Sequence, residues 1–254
     1  MAVDGMNFDR YIDNPSGGQM ITNRQMYKEM YTNKFNAILL REGGDIKFKV
    51  YHASDKFDTY YIHMKIPSEV VAKLYYDVVV QLSTRQGPKK VEGTLRNYMV
   101  RFFSNDPAFV FTFVHAFSKH DLFIKDLSSV MSSTALKSIA KERNPEDNIF
   151  YVKSLYFAYL TMERYNLFRR PVLDSLKQKY DKNQLIRSIV PAERMIKRRQ
   201  QEGLRVEKEK RAEAKKQKEP PKINHPTKIT GTTKVTPVKK AGNIVKSTKT
   251  TKRK

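Results

Sequence analysis

The chain has 254 residues, with 49 Lys and Arg against 26 Asp and Glu, a formal net charge of +23 at pH 7 with His neutral. It contains no Cys, which excludes disulfides, thiolate metal sites, redox motifs and cysteine nucleophiles. So positive a balance points to anionic partners, nucleic acid first among them, and charge of this kind supplies affinity without sequence specificity.

Residues 1–20, with Asn14-Pro15-Ser16-Gly17-Gly18, read as a loose N-terminal arm. No basic stretch followed by an apolar one opens the chain, so secretion through a signal peptide is not expected. An α+β globular body is expected over 21–190. From Thr22 onward Met26, Met30, Ala37 and Leu40 recur near helical spacing, with Thr22 or Asn23 as cap and Gly43-Gly44 as the stop. Three alternating stretches follow. Ile46, Phe48 and Val50 alternate with Lys47, Lys49 and Tyr51; Tyr60, Ile62 and Met64 alternate with Tyr61, His63 and Lys65; Tyr76, Val78, Val80 and Leu82 repeat the pattern. Period two predicts the half-buried strands of a small antiparallel sheet, with Leu95–Phe103 as a fourth strand after a loop at Gln86–Lys90. Tyr51, Tyr61, His63, Lys47, Lys49 and Lys65 then share one face. That face reads either as solvated surface or as a platform on which bases stack.

A helical layer comes next. Pro107 suits the first helical position after a cap at Asn105 or Asp106, although Phe109–Phe113 also alternates as a strand would. Leu122–Leu127 and Ser133–Ala140 read as short helices. Asp147–Tyr165 is apolar nearly all round and is expected to be the central buried helix. Leu167–Leu176 turns through Arg169-Arg170-Pro171, and Leu185, Ile186, Ile189 and Val190 complete the body. The longest apolar run, Ala108–Phe117, is broken by Thr112 and His115 and falls far short of the roughly 20 residues a membrane-spanning helix needs. No transmembrane segment is expected.

Pro191 opens a charged helical stalk over 191–219, weakened near its middle by Gly203, which costs about 1 kcal/mol relative to Ala. Residues 220–254 form a different material: ten Lys and Arg, no Asp or Glu, and no aromatic residue. All 14 Tyr and all 14 Phe lie before residue 181. A segment so poor in apolar surface is expected to be a disordered Lys/Thr-rich tail, whose cheapest binding energy is release of counterions from DNA or RNA. The candidate nucleic-acid-binding residues are Lys197, Arg198, Arg199, Lys222, Lys228, Lys234, Lys239, Lys240, Lys246, Lys249, Lys252, Arg253 and Lys254. The rest of the chain is also basic: residues 1–200 hold 32 cationic and 21 acidic residues, and 201–254 hold 17 and 5.

No catalytic, cofactor-binding or metal-ligating residue emerges. The five His, at 52, 63, 115, 120 and 225, show neither H-x-x-x-H nor H-x-H spacing. Asp45, Asp55, Asp58 and Asp77, with Lys47 and Lys56 nearby, are the nearest approach to the metal-holding carboxylates of a nuclease; exposed strand-edge and turn charges explain them more simply. Phosphate-loop, dinucleotide and serine-hydrolase signatures are absent.

The phrases Tyr61-Ile62-His63-Met64-Lys65-Ile66-Pro67-Ser68-Glu69, Tyr75-Tyr76-Asp77-Val78-Val79-Val80, Arg143-Asn144-Pro145 and Tyr151-Val152-Lys153-Ser154-Leu155-Tyr156-Phe157-Ala158 resemble those of uncharacterised proteins encoded by large tailed bacteriophages. The resemblance covers roughly residues 40 to 165 and carries over no site residue. It implies a virion or virion-assembly component, located in the virion or in the cytoplasm of the infected cell. The expected function is thus a non-enzymatic structural or assembly protein of a phage-like virion, its body against protein neighbours, homo-oligomeric neighbours included, and its basic tail on nucleic acid. A dedicated DNA- or RNA-binding protein that also uses its sheet face is the first alternative. A metal-dependent nuclease is the second, and a tail that binds an acidic protein or membrane surface is the third.

Overall fold

The computed structural model describes residues 6–13, 23–54, 57–84, 94–140, 144, 147, 149 and 152–218. The chain divides into two compact units, Met1–Arg211 and Ala212–Lys254, and the α+β core lies in the first. In chain order the elements are α1 (Phe8–Ile12), α2 (Asn23–Arg41), β1 (Phe48–Ala53), β2 (Thr59–Pro67), β3 (Tyr75–Ser83) and β4 (Met99–Ser104). A π-helical turn (Phe109–Phe113) runs into α3 (Val114–Lys119), followed by a 3-10 helix (Lys125–Val130) and α4 (Ser133–Lys137). Then come α5 (Lys153–Arg164), α6 (Arg170–Leu176), β5 (Lys177–Lys179), α7 (Lys182–Ser188) and α8 (Ala192–Lys218). The expected tail, 220–254, lies outside the described residues.

The sheet has five strands in the order β4-β3-β2-β1-β5. The first four form an antiparallel meander, as the alternation predicts, with Ile62 opposite both Val50 and Val80, and Val80 opposite Phe102. The fifth strand, Lys177-Gln178-Lys179, pairs parallel with β1 and makes the sheet mixed. Three exposed polar residues carry no strand signal; a short Lys-bearing strand of this kind blunts a sheet edge against further pairing.

One face of the sheet meets the expected helical layer. Phe102 packs against Phe8, Tyr11 and Phe117, and Phe8 reaches Tyr159 on α5. Behind α5 lies α2, through Phe35 on Phe157 and the Thr32 hydroxyl near Tyr156. The fully buried face of α5, Leu155, Tyr156, Phe157, Ala158 and Met162, bears out its central position, although the helix begins at Lys153 rather than Asp147. α2 ends as Gly43-Gly44 predicts: both have φ near +90°, Gly44 N–H donates to Leu39 O and Gly43 N–H to Leu40 O, which is a Schellman stop. Asp106 accepts from the Ala108 N–H at 3.0 Å and opens the helical run at Pro107, settling the strand-or-helix ambiguity of Phe109–Phe113.

Three expectations are corrected. First, Met6–Ile12 is not part of a loose arm: Phe8, Tyr11 and Ile12 are fully buried, and an Asn7 cap starts α1. Ile12→Val is therefore expected to cost about 1 kcal/mol, read as a lower denaturant midpoint, where an unpacked arm would show no change. Second, the face expected to be solvated is largely covered. Tyr51, Tyr61 and His63 are buried beneath residues 122–130 and 180–190, because β2 and β3 lie between other strands and carry apolar residues on both sides, as Val78-Val79-Val80 does. Third, the body does not stop at 190. Ala192 and Met195 are buried, Met195 against Val71, Leu74 and Tyr76, so the first turns of α8 belong to the core.

Candidate nucleic-acid interface

Of the thirteen candidate cations, three lie among the described residues, on α8. Lys197 and Arg198 are exposed, and Arg199 is half-buried. No carboxylate among the described residues lies within ion-pair distance of any of them, whereas Arg205 pairs with Glu202 and Glu209, and Arg211 with Glu207. The first turns of α8 therefore present cations without an ion pair among the described residues, while two cations of its later turns, Arg205 and Arg211, are paired along the helix. Lys222, Lys228, Lys234, Lys239, Lys240, Lys246, Lys249, Lys252, Arg253 and Lys254 lie outside the described residues, as do Lys89 and Lys90.

Of the remaining basic doublet, Arg169 is exposed while Arg170 turns inward. Arg170 donates to Asp58 at 2.7 Å and to the Tyr98 hydroxyl at 3.0 Å, and also faces Asp174, which accepts from Tyr60 at 2.7 Å. His52 Nε2 meets the other Asp58 oxygen at 2.7 Å. Burial raises the Asp58 carboxyl, but His52, Arg170 and Tyr98 together hold it below its ordinary value. Burial and the adjacent Asp58 carboxylate push the Tyr98 hydroxyl up to about 12, so it stays protonated and serves as a donor. This network fixes α6 onto β2 and leaves Arg170 no charge for an external anion.

The expected stacking platform is filled by the protein itself. The Tyr61 ring stacks on Tyr180, centroids 4.1 Å apart and planes 8° from parallel, and its hydroxyl donates to Asp126 while accepting from Gln81 at 3.0 Å. A surface cavity of about 360 Å³ borders this pair, with Phe57, Arg101 and Asp126 in its wall. His63 is inside as well, and Lys65 is turned inward onto Asp77. Lys47 and Lys49 alone of that set are exposed.

The carboxylates considered for a nuclease do not converge. Asp45 accepts from Tyr165 at 3.0 Å, Asp55 lies outside the described residues, and Asp58 and Asp77 serve separate networks. Asp58 adjoins the Thr59–Ser83 pair and Asp77 faces Lys65, six residues along β2, about 20 Å at the usual rise per residue. Among the described residues no group of three or more His, Asp or Glu is placed to hold a metal ion.

A third arrangement went unrecognised in the sequence. Ser188 Oγ lies 3.3 Å from His63 Nδ1, and His63 Nε2 lies 2.7 Å from Asp77. Nucleophilic catalysis would need the serine proton free to pass to His63 and donors ready for an oxyanion. Instead, Ser188 Oγ donates to Leu185 O at 2.7 Å, and it sits at the C-terminal end of α7, where carbonyl dipoles disfavour a developing negative charge. Asp77 is saturated: Lys65 and His63 share one oxygen, while Asn105 Nδ2 and the Val190 N–H take the other, each at 3.0 Å. Asn105 also donates to Val190 O at 2.8 Å. The cluster is a clamp that ties residues 188–190, the link between α7 and α8, to the sheet. His52 with Asp58 and His115 with Asp147 repeat the pairing on a smaller scale. The clue lay in strand register: β2 and β3 place His63 and Lys65 beside Asp77, a proximity that spacing along the chain does not reveal.

No family model, curated protein or solved structure matches this chain. Among the described residues no helix is long and apolar enough to cross a membrane.

Proposed function

We propose that this chain is a non-enzymatic structural or assembly protein of a phage-like particle, which holds nucleic acid non-specifically through its C-terminal basic segment. The observation that carries this reading is the run from Pro220 to Lys254, ten cations without one acidic residue, in a chain of net charge +23. Its physical basis is counterion release, which depends on the number of phosphates neutralised and hardly at all on base sequence. Two features support it. Lys197 and Arg198 on α8, both exposed, continue the positive charge with no ion-pair partner among the described residues. The buried acids, Asp58 and Asp77, are each engaged by several donors from the protein, which favours a structural role for them over a chemical one. The phage-like particle rests on the resemblance of residues 40–165, and with it go the virion or infected-cell cytoplasm as location and neighbouring protein subunits as partners.

Fluorescence anisotropy with two duplexes of unrelated sequence tests the proposal. Equal affinities are expected for the two, and a chain ending at Lys218 should lose most of its binding near physiological salt. Strong discrimination between the duplexes, or undiminished binding by the shortened chain, would overturn it.

A further inference from the structure

An open groove of about 620 Å³ runs between the π-helical turn and α8. In that turn Phe109 and Val110 face the core, while Phe111 is left 48% exposed. Across from it Leu204 is 60% exposed and Ile196 half-buried. The α8 wall comprises Ile196, Arg199, Gln200, Gly203, Leu204 and Glu207, most of them separated by the three- and four-residue steps that line up one helical face.

Gly203 stands at the centre of that face, and no contact among the described residues accounts for it. Its φ is not in the left-handed region, and a Cβ added there would meet no atom within 4 Å. Glycine in an exposed helix is destabilising relative to alanine. What the missing side chain offers is room for a second backbone to approach.

We propose that this groove is the contact surface of a two-fold homodimer, in which α8 packs antiparallel on α8 of a second copy and crosses it at Gly203. A two-fold axis at Gly203 sets each residue against the one equally far on the other side. Glu207 then faces Arg199 of the second copy, and Arg199 faces its Glu207, giving two symmetric ion pairs from one patch. This is the self-complementarity an isologous interface requires. Arg199 has no carboxylate within ion-pair distance among the described residues, although its charge reaches the buried Asp106; Glu207 binds Arg211 through one oxygen and keeps the other for the second copy's arginine. The apolar side chains of Phe111, Ile196 and Leu204 flank the crossing. Because the charge pattern matches itself, a second copy fits better than an unrelated anionic or purely apolar partner. A dimer carries two cationic C-terminal segments, which raises the effective concentration of the second once the first has bound a long polyanion.

Sedimentation equilibrium of the full chain tests the proposal, with circular dichroism confirming that each variant is folded. The wild type is expected to dimerise at micromolar concentration. Arg199→Glu or Glu207→Arg alone opposes like charges in both pairs and should raise the dimer dissociation constant at least about tenfold, since juxtaposed like charges oppose docking. The double variant restores opposite charges and should recover the dimer. Leu204→Lys, at an exposed position, should also dissociate it without unfolding the chain. A monomeric wild type, or a double variant that stays as weak as the single ones, would overturn the proposal.

Discussion

Replacing Asp77 with alanine is expected to destabilise the fold by about 3 to 5 kcal/mol, the cost typical of breaking a buried, multiply bonded ion pair from one side. Asp77 is fully buried and His63 only 4% exposed. Removing the carboxylate leaves the His63 ring, the Asn105 amide and the Val190 N–H without their acceptor, and frees residues 188–190 from the sheet. For a chain of this size that loss lowers the melting temperature on the order of 10 °C. Asp77→Asn recovers little, because its amide nitrogen must face either the Val190 N–H with the Asn105 amide or the Lys65 ammonium, all donors. Asp45→Ala, at an exposed carboxylate held by the Tyr165 hydroxyl and so unlike Asp77, serves as control and should cost well under 1 kcal/mol. Thermal and urea unfolding of the three variants check the order.

Asp77 also makes stability depend on pH. Burial by itself raises its carboxyl, but the His63 hydrogen bond and charge, Lys65 and the Val190 N–H outweigh burial and leave it below the ordinary value of 3.8. The folded carboxyl thus releases its proton more readily than the unfolded one, near 3.9. The stabilisation is fully present above the unfolded pKa and is lost as pH falls through the folded one. Urea midpoints taken from about pH 5 downward should fall more steeply for the wild type than for Asp77→Ala.

The parts of the fold legible in the sequence were those set by local rules. Gly43-Gly44 stopped α2, Asp106-Pro107 opened the next helical run, and period-two alternation marked three strands. What escaped was set by tertiary contact. A face bearing Tyr51, Tyr61 and His63 looks solvated until Tyr180 and Ser188 arrive from more than a hundred residues away to cover it. Phe8, Tyr11 and Ile12 looked like an arm because Pro15, Gly17 and Gly18 follow them, yet three large apolar side chains in five residues were the sign of core. β5 had no local signal, since its pairing is dictated by β1. At the candidate interface the charge surplus was readable from composition alone. Which cations remain available was not: Arg170 and Lys65 are spent on internal carboxylates, while Lys197 and Arg198 are not.

The largest effect on binding is expected from the ten cations between Lys222 and Lys254. On duplex DNA each phosphate neutralised contributes about −0.9 to the slope of log Kobs against log salt, so ten engaged cations set a limit of about −9. A protein making contacts of that number loses roughly three to five orders of magnitude in affinity between 50 and 200 mM salt. Contacts from the rest of the chain, such as Lys197 and Arg198, would persist when these cations are removed. The decisive measurement is therefore this slope for the intact chain and for a full-length variant with all ten changed to glutamine. A steep slope in the wild type that collapses in the variant, alike on unrelated duplexes, is the predicted result. Equal slopes in the two proteins would contradict the account.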